Sequence, residues 1–428
     1  MDAEQLLTIA RRLGADQAEV YATTSTTEGV EFEANRLKQV EFTQEEGIGL
    51  TVWLGEQTGI SVAYGAVDPE TLVQKALNAA RVAPTTGVLF NRDRQYLLVP
   101  EPATDSPDLR AWGEELLAGI RTPLPQLIVQ AGAERETSTL RLVNSAGLDG
   151  WFETTVYSAS LGAEWVRGED VLQVYSGDTV RSGRPDLARI IAECLQRVAW
   201  ATETAHAPTG SYPVLFTERA VDLLWGPVVA ALNGRLMQQK ASPWTDRRGQ
   251  LVLNPCLTLT QDPDQGPGAL PFDDEGTATQ RLDFVAQGVL QQVYTDLRTS
   301  RELEMTTTGN GFRGSLGSFA TPDLVNLIVT SGDHSFDQLL KRLDRGLVVD
   351  QVLGNGAGLA GDFSVNVELG YWVEEGVIQG RVKDTMIAGN AFTLLAGDLL
   401  LGQPGQWQGE LWVPALLVPG VQVSSDSE

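Results

Sequence analysis

Apolar residues recur at helical spacing in residues 3–13, where Leu6, Leu7, Ala10 and Leu13 share one face. The period then drops to two. Runs at 18–22, 29–34, 37–43, 47–54 and 58–64 read as strands, alternating at Val30/Phe32, Val40/Phe42 and Leu50/Val52/Leu54. Asn35 and the Gly55/Gly59 pair punctuate them. Helical spacing returns after Asp68-Pro69, a capping side chain followed by proline at the first helical position, with Leu72, Val73, Ala76, Leu77 and Ala80 as the buried stripe. A strand meander with helices on one face predicts an α+β fold rather than a βαβ one.

Residues 91–105 are polar and carry proline, which suits a crossing between lobes and a possible sub-boundary. Ser106-Pro107 repeats the cap-then-proline signal and opens a helix to about Ile120. Strands are expected at 126–136, 138–143, 151–165 and 171–176, with Asn144-Ser145-Ala146-Gly147 as a turn. A helix from Pro185 to Ala201 turns Leu187, Ile190, Ile191, Cys194, Leu195 and Val198 inward. The segment 202–211 is small, polar and proline-bearing, so the main boundary is placed there, giving domains 1–205 and 206–428. Beyond it come a strand at Tyr212–Phe216, a helix from Thr217, and short strands at 251–260, 281–294, 323–330, 347–353, 362–374 and 377–387. One helix interrupts them, capped by Ser335 with Gln338 completing a capping box and ended by Gly346. The second half therefore predicts a β-rich, twisted, barrel-like domain after an N-terminal α/β meander domain.

Composition narrows the partners. The 428 residues hold 31 Lys+Arg against 56 Asp+Glu, a net charge of −25, which disfavours nucleic acid or an anionic membrane as partner. Two cysteines, Cys194 and Cys256, are too few for a disulfide framework and are expected as buried thiols. The start, Met1-Asp2-Ala3-Glu4, carries no export signal, and a cytoplasmic, membrane-free protein is expected.

Candidate chemistry concentrates in Pro271–Gly314. Asp273, Asp274 and Glu275 stand in a row, closed by Gly276. A hairpin pivots on Gln287-Gly288, a short helical piece lies at Ser300–Leu303, and the loop Thr306–Gly311 ends in Thr308, Gly309, Asn310 and Gly311. So permissive a loop is expected to leave backbone uncovered for another chain. Gly311→Val is then expected to spare the fold and weaken peptide capture. The PFDDEG run, the TTGN loop, GDFSV at Gly361–Val365 and AGN at Ala388–Asn390 resemble the TldD/PmbA family, metallopeptidases and their partner subunits also called modulators of DNA gyrase.

That resemblance implies a helix carrying His-Glu, three residues, then His, whose imidazoles hold zinc while the glutamate serves as base. In the matching register Trp225 stands at the first histidine, Gly226 at the glutamate and Ala230 at the second histidine. Pro227 argues further against a rigid ligand helix there. The family's third ligand, a late cysteine, has no counterpart after Cys256. Of the two histidines, His206 sits in the expected linker and His334 beside a helix cap, with no His/Cys/Asp/Glu cluster around either. The resemblance is thus to the PmbA (TldE) type: a non-catalytic subunit without cofactor, whose TldD-type partner supplies zinc. It implies a heterodimer or homodimer acting on extended peptides, with Thr308–Gly311 and Gly361, Asp362, Phe363 and Ser364 facing the peptide. Two other readings stay open: a self-associating peptide-binding protein without an enzyme partner, and a cation-dependent hydrolase using Asp273 and Glu275.

Overall fold

A computed structural model of the chain describes residues 2–85, 90–91, 96–99, 107–354 and 356–425. Most of the expected crossing at 91–105, Ser106, Asn355 and the last three residues lie outside them.

The separate runs of the N-terminal half fuse into long strands. Those at 18–22 and 29–34 belong to β1 (Gln17–Glu33), and those at 37–43 and 47–54 to β2 (Arg36–Leu54). β3 is Gln57–Tyr64 and β4 is Tyr96–Val99. The runs at 126–136 and 138–143 likewise merge into β5 (Ile128–Asn144), which pairs with β6 (Asp149–Arg167). Polar threonines between the apolar runs interrupt the pattern but not the ladder, because β-branched side chains suit a pleated surface. The sheet order is β3-β2-β1-β5-β6, and β6 takes both β4 and β7 (Asp170–Val180) along its outer side.

Helices α1 (Ala3–Arg12) and α2 (Pro69–Val82) close a core over β1–β3 that includes Leu6, Val20, Leu50 and Leu77. Asp68 caps α2 by accepting the Thr71 N–H, as its sequence predicts. Helices α3 (Leu109–Arg121) and α4 (Leu187–Trp200) are capped by Asp108 and Asp186, each a residue or more past the expected start. They cover the other end of the same sheet face.

Beyond Trp200, five strands close on themselves: β8 (Gly210–Phe216), Gly346–Leu353, Asp362–Glu374, Thr385–Asn390 and Leu416–Ser425. The Gly346–Leu353 strand pairs with both β8 and Asp362–Glu374, which completes a barrel. Regular structure within 251–260 is limited to Leu259–Gln261 and a bridge at Leu251. The Ser335 capping box forms as expected, but Asp344, at positive φ, ends that helix and Gly346 opens the next strand. Cys194 is buried, whereas Cys256 is exposed, which corrects the expectation for that thiol.

Among the described residues, every strand ladder stays on one side of residue 205, apart from a single bridge between Thr204 and Arg381. One apolar core nevertheless runs across, joining Leu116, Ile190 and Val198 to Leu215, Val348 and Tyr371. We propose the boundary between residues 205 and 206 on the strand pairing. Limited proteolysis should then nick the chain first between Thr202 and Ser211. Because the core is shared, the two fragments should co-migrate under native conditions and separate only in denaturant. First cleavage inside 281–294 would remove this boundary.

Candidate functional site

The Pro271–Gly276 turn is wedged between the open face of the N-terminal sheet and the loops of the second half. Phe272 anchors it, edge-on to Phe152 at 5.1 Å between centroids and packed with Leu140, Leu142 and Leu148. Gly150 makes room, since a Cβ there would lie 2.9 Å from the Phe272 ring.

The three carboxylates are absorbed by hydrogen bonds to the chain itself. Asp273 is wholly buried; its Oδ1 accepts the N–H groups of Glu275 (3.1 Å) and Thr277 (2.8 Å), and its Oδ2 that of Gly311 (2.8 Å). Asp274 accepts the Tyr21 hydroxyl (3.0 Å) and the Arg313 N–H (2.7 Å). Glu275 Oε2 accepts the Leu297 N–H at 2.7 Å, at the start of the Leu297–Glu302 helix. Arg313 donates to Glu19 Oε1 at 2.6 Å, an ion pair with both side chains about 95% buried. Its guanidinium also lies over the Tyr21 ring. Burial pushes the Asp273 carboxyl up to about 7. It also raises Glu275, and there the charge of Asp273 adds to the effect.

Tyr21 and Glu19 escape the sequence reading. Their signal is the parity of β1: Ala18, Val20 and Ala22 face the helices, so Gln17, Glu19 and Tyr21 must face the other way.

The Thr308–Gly311 loop is buried rather than uncovered, contrary to expectation. Thr308 Oγ1 accepts the Thr295 N–H at 2.7 Å, and Asn310 donates to Gln261 Oε1 and the Asp323 carbonyl, both at 2.8 Å. The Gly311 carbonyl accepts the Asp274 N–H at 2.9 Å. The close approach that requires glycine is internal. A Cβ at Gly309 would lie 2.3 Å from the Ala278 carbonyl oxygen, and one at Gly311 2.3 Å from Glu275 Oε2. Gly311→Val should therefore destabilise the fold by about 1–3 kcal/mol, on the scale of core overpacking. This reverses the sequence expectation. A thermal midpoint equal to wild type would refute it.

In the second expected stretch, Gly361 has positive φ and packs against Phe392, and Phe363 joins the barrel core. Asp362 and Ser364 are exposed; Asp362 accepts an Asn390 Nδ2 hydrogen bond at 3.0 Å.

The register of the zinc helix falls on α5 (Asp222–Ala231), which runs through Pro227 despite the lost backbone donor. Apolar packing on most sides holds it: Leu223, Leu224, Pro227, Val228 and Ala231 are all buried. Trp225 is fully buried, and its indole N–H meets no acceptor among the described residues. Gly226 and Ala230 are half-exposed, and Gly226 opens onto a cavity of about 380 Å³ that also touches Asp222, Asp323 and Glu410. Among the described residues, no three His, Cys, Asp or Glu side chains converge to hold a metal ion. The donor set that the resemblance calls for does not fit this helix, where Trp225, Gly226 and Ala230 offer no metal ligand or base.

Comparison with known proteins agrees with the site's motifs. Residues 209–425 match the PmbA/TldA metallopeptidase C-terminal domain, and residues 18–83 match domain 1 of the same group. The chain belongs to the TldD/PmbA family. It is 25% identical over 442 residues to metalloprotease PmbA of Escherichia coli O157:H7, covering 96% of this chain and 92% of that one. A metalloprotease TldD homolog of Haemophilus influenzae is 25% identical, covering 65% of this chain and 54% of its own length. The crystal structure of TldE from Thermococcus kodakarensis superposes with a TM-score of 0.85 at 19% identity, covering 99% of both chains. The first two names place the family in proteolysis, and the structural likeness shows a shared fold.

Proposed function

We propose that this chain is the PmbA/TldE-type, non-catalytic subunit of a cytoplasmic peptidase complex. Its TldD-type partner would supply the zinc, and the assembly would cleave extended or unfolded peptides. The observation that carries the reading is Trp225, buried in the core at the position where a metal-ligating histidine is required, with Gly226 and Ala230 beside it. The relatives' names supply the class of reaction. The cation-dependent alternative used Asp273 and Glu275; the three backbone N–H groups on Asp273 and the Leu297 N–H on Glu275 weigh against it. Of the residues expected to face peptide, the exposed Asp362 and Ser364 are the ones we place in contact with it. The Thr308–Gly311 loop would act by holding the Asp273 turn in place.

The test is metal analysis and peptide cleavage by the pure chain, then by the chain mixed with a TldD-type subunit. The expected result is no stoichiometric zinc and no cleavage alone, with chelator-sensitive cleavage in the mixture. Zinc near one per chain with activity in isolation would overturn the proposal.

A further inference from the structure

The cavity beside helix α5 is lined for a ligand of one charge. Its volume is about 380 Å³, and Val221, Val229, Leu324, Leu327 and Leu411 give it apolar walls. Val221, Leu324 and Leu327 are buried, whereas Asp222, Asp323 and Glu410 are exposed and stand at the mouth. Each carboxylate comes from a different element. Asp222 is the first residue of α5, Asp323 follows the strand Thr321–Pro322, and Glu410 lies in the turn between strands Gln406–Gln408 and Leu411–Val413. Among the described residues no lysine, arginine or histidine lines the cavity. Partial burial and the charge of Asp323 push the Glu410 carboxyl up to about 7, and no neighbouring cation offsets them.

Gly226 leaves part of this space open. It sits inside α5 without a positive φ. Beyond its chain neighbours and its own helix backbone, a Cβ built on it would have one neighbour within 4 Å, Asp222 Oδ1 at 3.9 Å. Neither backbone conformation nor packing calls for glycine here, and glycine weakens a helix interior relative to alanine. Gly309 and Gly311 differ, because a Cβ at either would strike the chain itself. The space over Gly226 is therefore free for an atom from outside the fold.

The walls select what fits. The carboxylates are set too far apart to ligate one metal ion, since no three His, Cys, Asp or Glu side chains converge among the described residues. An organic cation can span that separation. Lysine and arginine lay an aliphatic stem along apolar surface and keep the charged head in water. We propose that this cavity takes a lysine or arginine side chain of an extended peptide, with its stem on Leu324, Leu327 and Leu411 and its head at Asp323 and Glu410. That the ligand is a peptide rests on the proposed function; its cationic character rests on the cavity.

Fluorescence anisotropy of the full chain at pH 8, where Glu410 is ionised, tests it. The probes are labelled, unstructured peptides of alanine, glycine and serine that differ only in one central residue. The lysine and arginine peptides should bind about tenfold more tightly than the norleucine peptide, which has the stem without the charge. Asp323→Asn combined with Glu410→Gln should bring the lysine and norleucine peptides to equal affinity. Gly226→Leu should fill the cavity and weaken binding of the lysine peptide about tenfold, at a thermal midpoint no lower than wild type. Equal binding of the lysine and norleucine peptides by wild type overturns the proposal, as does a lysine preference that survives both sets of substitutions. So would displacement by calcium or magnesium at an ionic strength where sodium has no effect, which would make the carboxylates metal ligands. Binding is read on the pure chain, so failure of the mixed subunits to cleave would overturn the proposed function and leave this inference standing.

Discussion

Replacing Asp350 by alanine should lower the unfolding free energy by about 3–5 kcal/mol, the cost of breaking a buried ion pair from one side. Asp350 is 1% exposed on the barrel strand Gly346–Leu353, and its carboxylate accepts Arg197 Nε at 3.0 Å and the Thr217 hydroxyl at 2.9 Å. Arg219 adds a second cation at 3.4 Å, with its guanidinium stacked 3.6 Å over Tyr175. Removing the carboxylate would leave two buried guanidinium groups with Glu193 as the nearby counter-charge, 3.4 Å from Arg197. The ion pair joins helix α4 to the barrel, so its loss should also loosen the two halves. Denaturant titration gives the stability, and native gels after proteolytic nicking report the association. Asp350→Leu combined with Arg197→Met and Arg219→Met should recover most of the loss, because apolar residues need no counter-charge. A loss below about 1 kcal/mol for Asp350→Ala would mean that water reaches the arginines.

What could be read from the sequence was local. Asp68-Pro69 and the Ser335/Gln338 pair locate helix starts because a cap and its acceptor lie within one turn. Gln287 and Gly288, both at positive φ, make the hairpin where the pair of residue types called for one. Long strands were cut short because Thr23–Glu28 carries no apolar alternation, although it pairs with β2 and β5 throughout. Barrel closure rests on pairings between distant strands, which no local pattern encodes. The acidic run was visible in the sequence, but beyond the local N–H groups of Glu275 and Thr277 its donors come from positions 21, 297, 311 and 313. An acidic turn and an acidic ligand set look alike until those donors are placed. The permissive Thr308–Gly311 loop misled for the same reason: glycine marks a close approach without saying what approaches.

Glu275 should make stability fall as pH rises, and Glu275→Gln should remove its share. Asp273 accepts three backbone N–H groups, each favouring its charged form, whereas Glu275 accepts one and sits beside Asp273 and Asp296. Burial and those neighbours raise the Glu275 carboxyl, so the folded protein keeps a proton that the unfolded chain has already released. The sign follows. Above the ordinary glutamate range the unfolded state binds fewer protons, and unfolding becomes easier by up to about 1.4 kcal/mol per pH unit until the folded group itself ionises. Asp273, raised to about 7, contributes in the same direction below that pH and remains in the variant. Urea midpoints from pH 5 to 8 should therefore converge for wild type and Glu275→Gln at the acid end. Glu275→Gln should be the more stable at pH 8. Adding magnesium or calcium should move neither curve, because the carboxylates already hold backbone donors; a cation site would bind the folded state and stabilise it. Parallel pH curves would show that Glu275 is ionised in the folded protein. A divalent-cation shift lost in the variant would return Asp273 and Glu275 to the role of metal ligands.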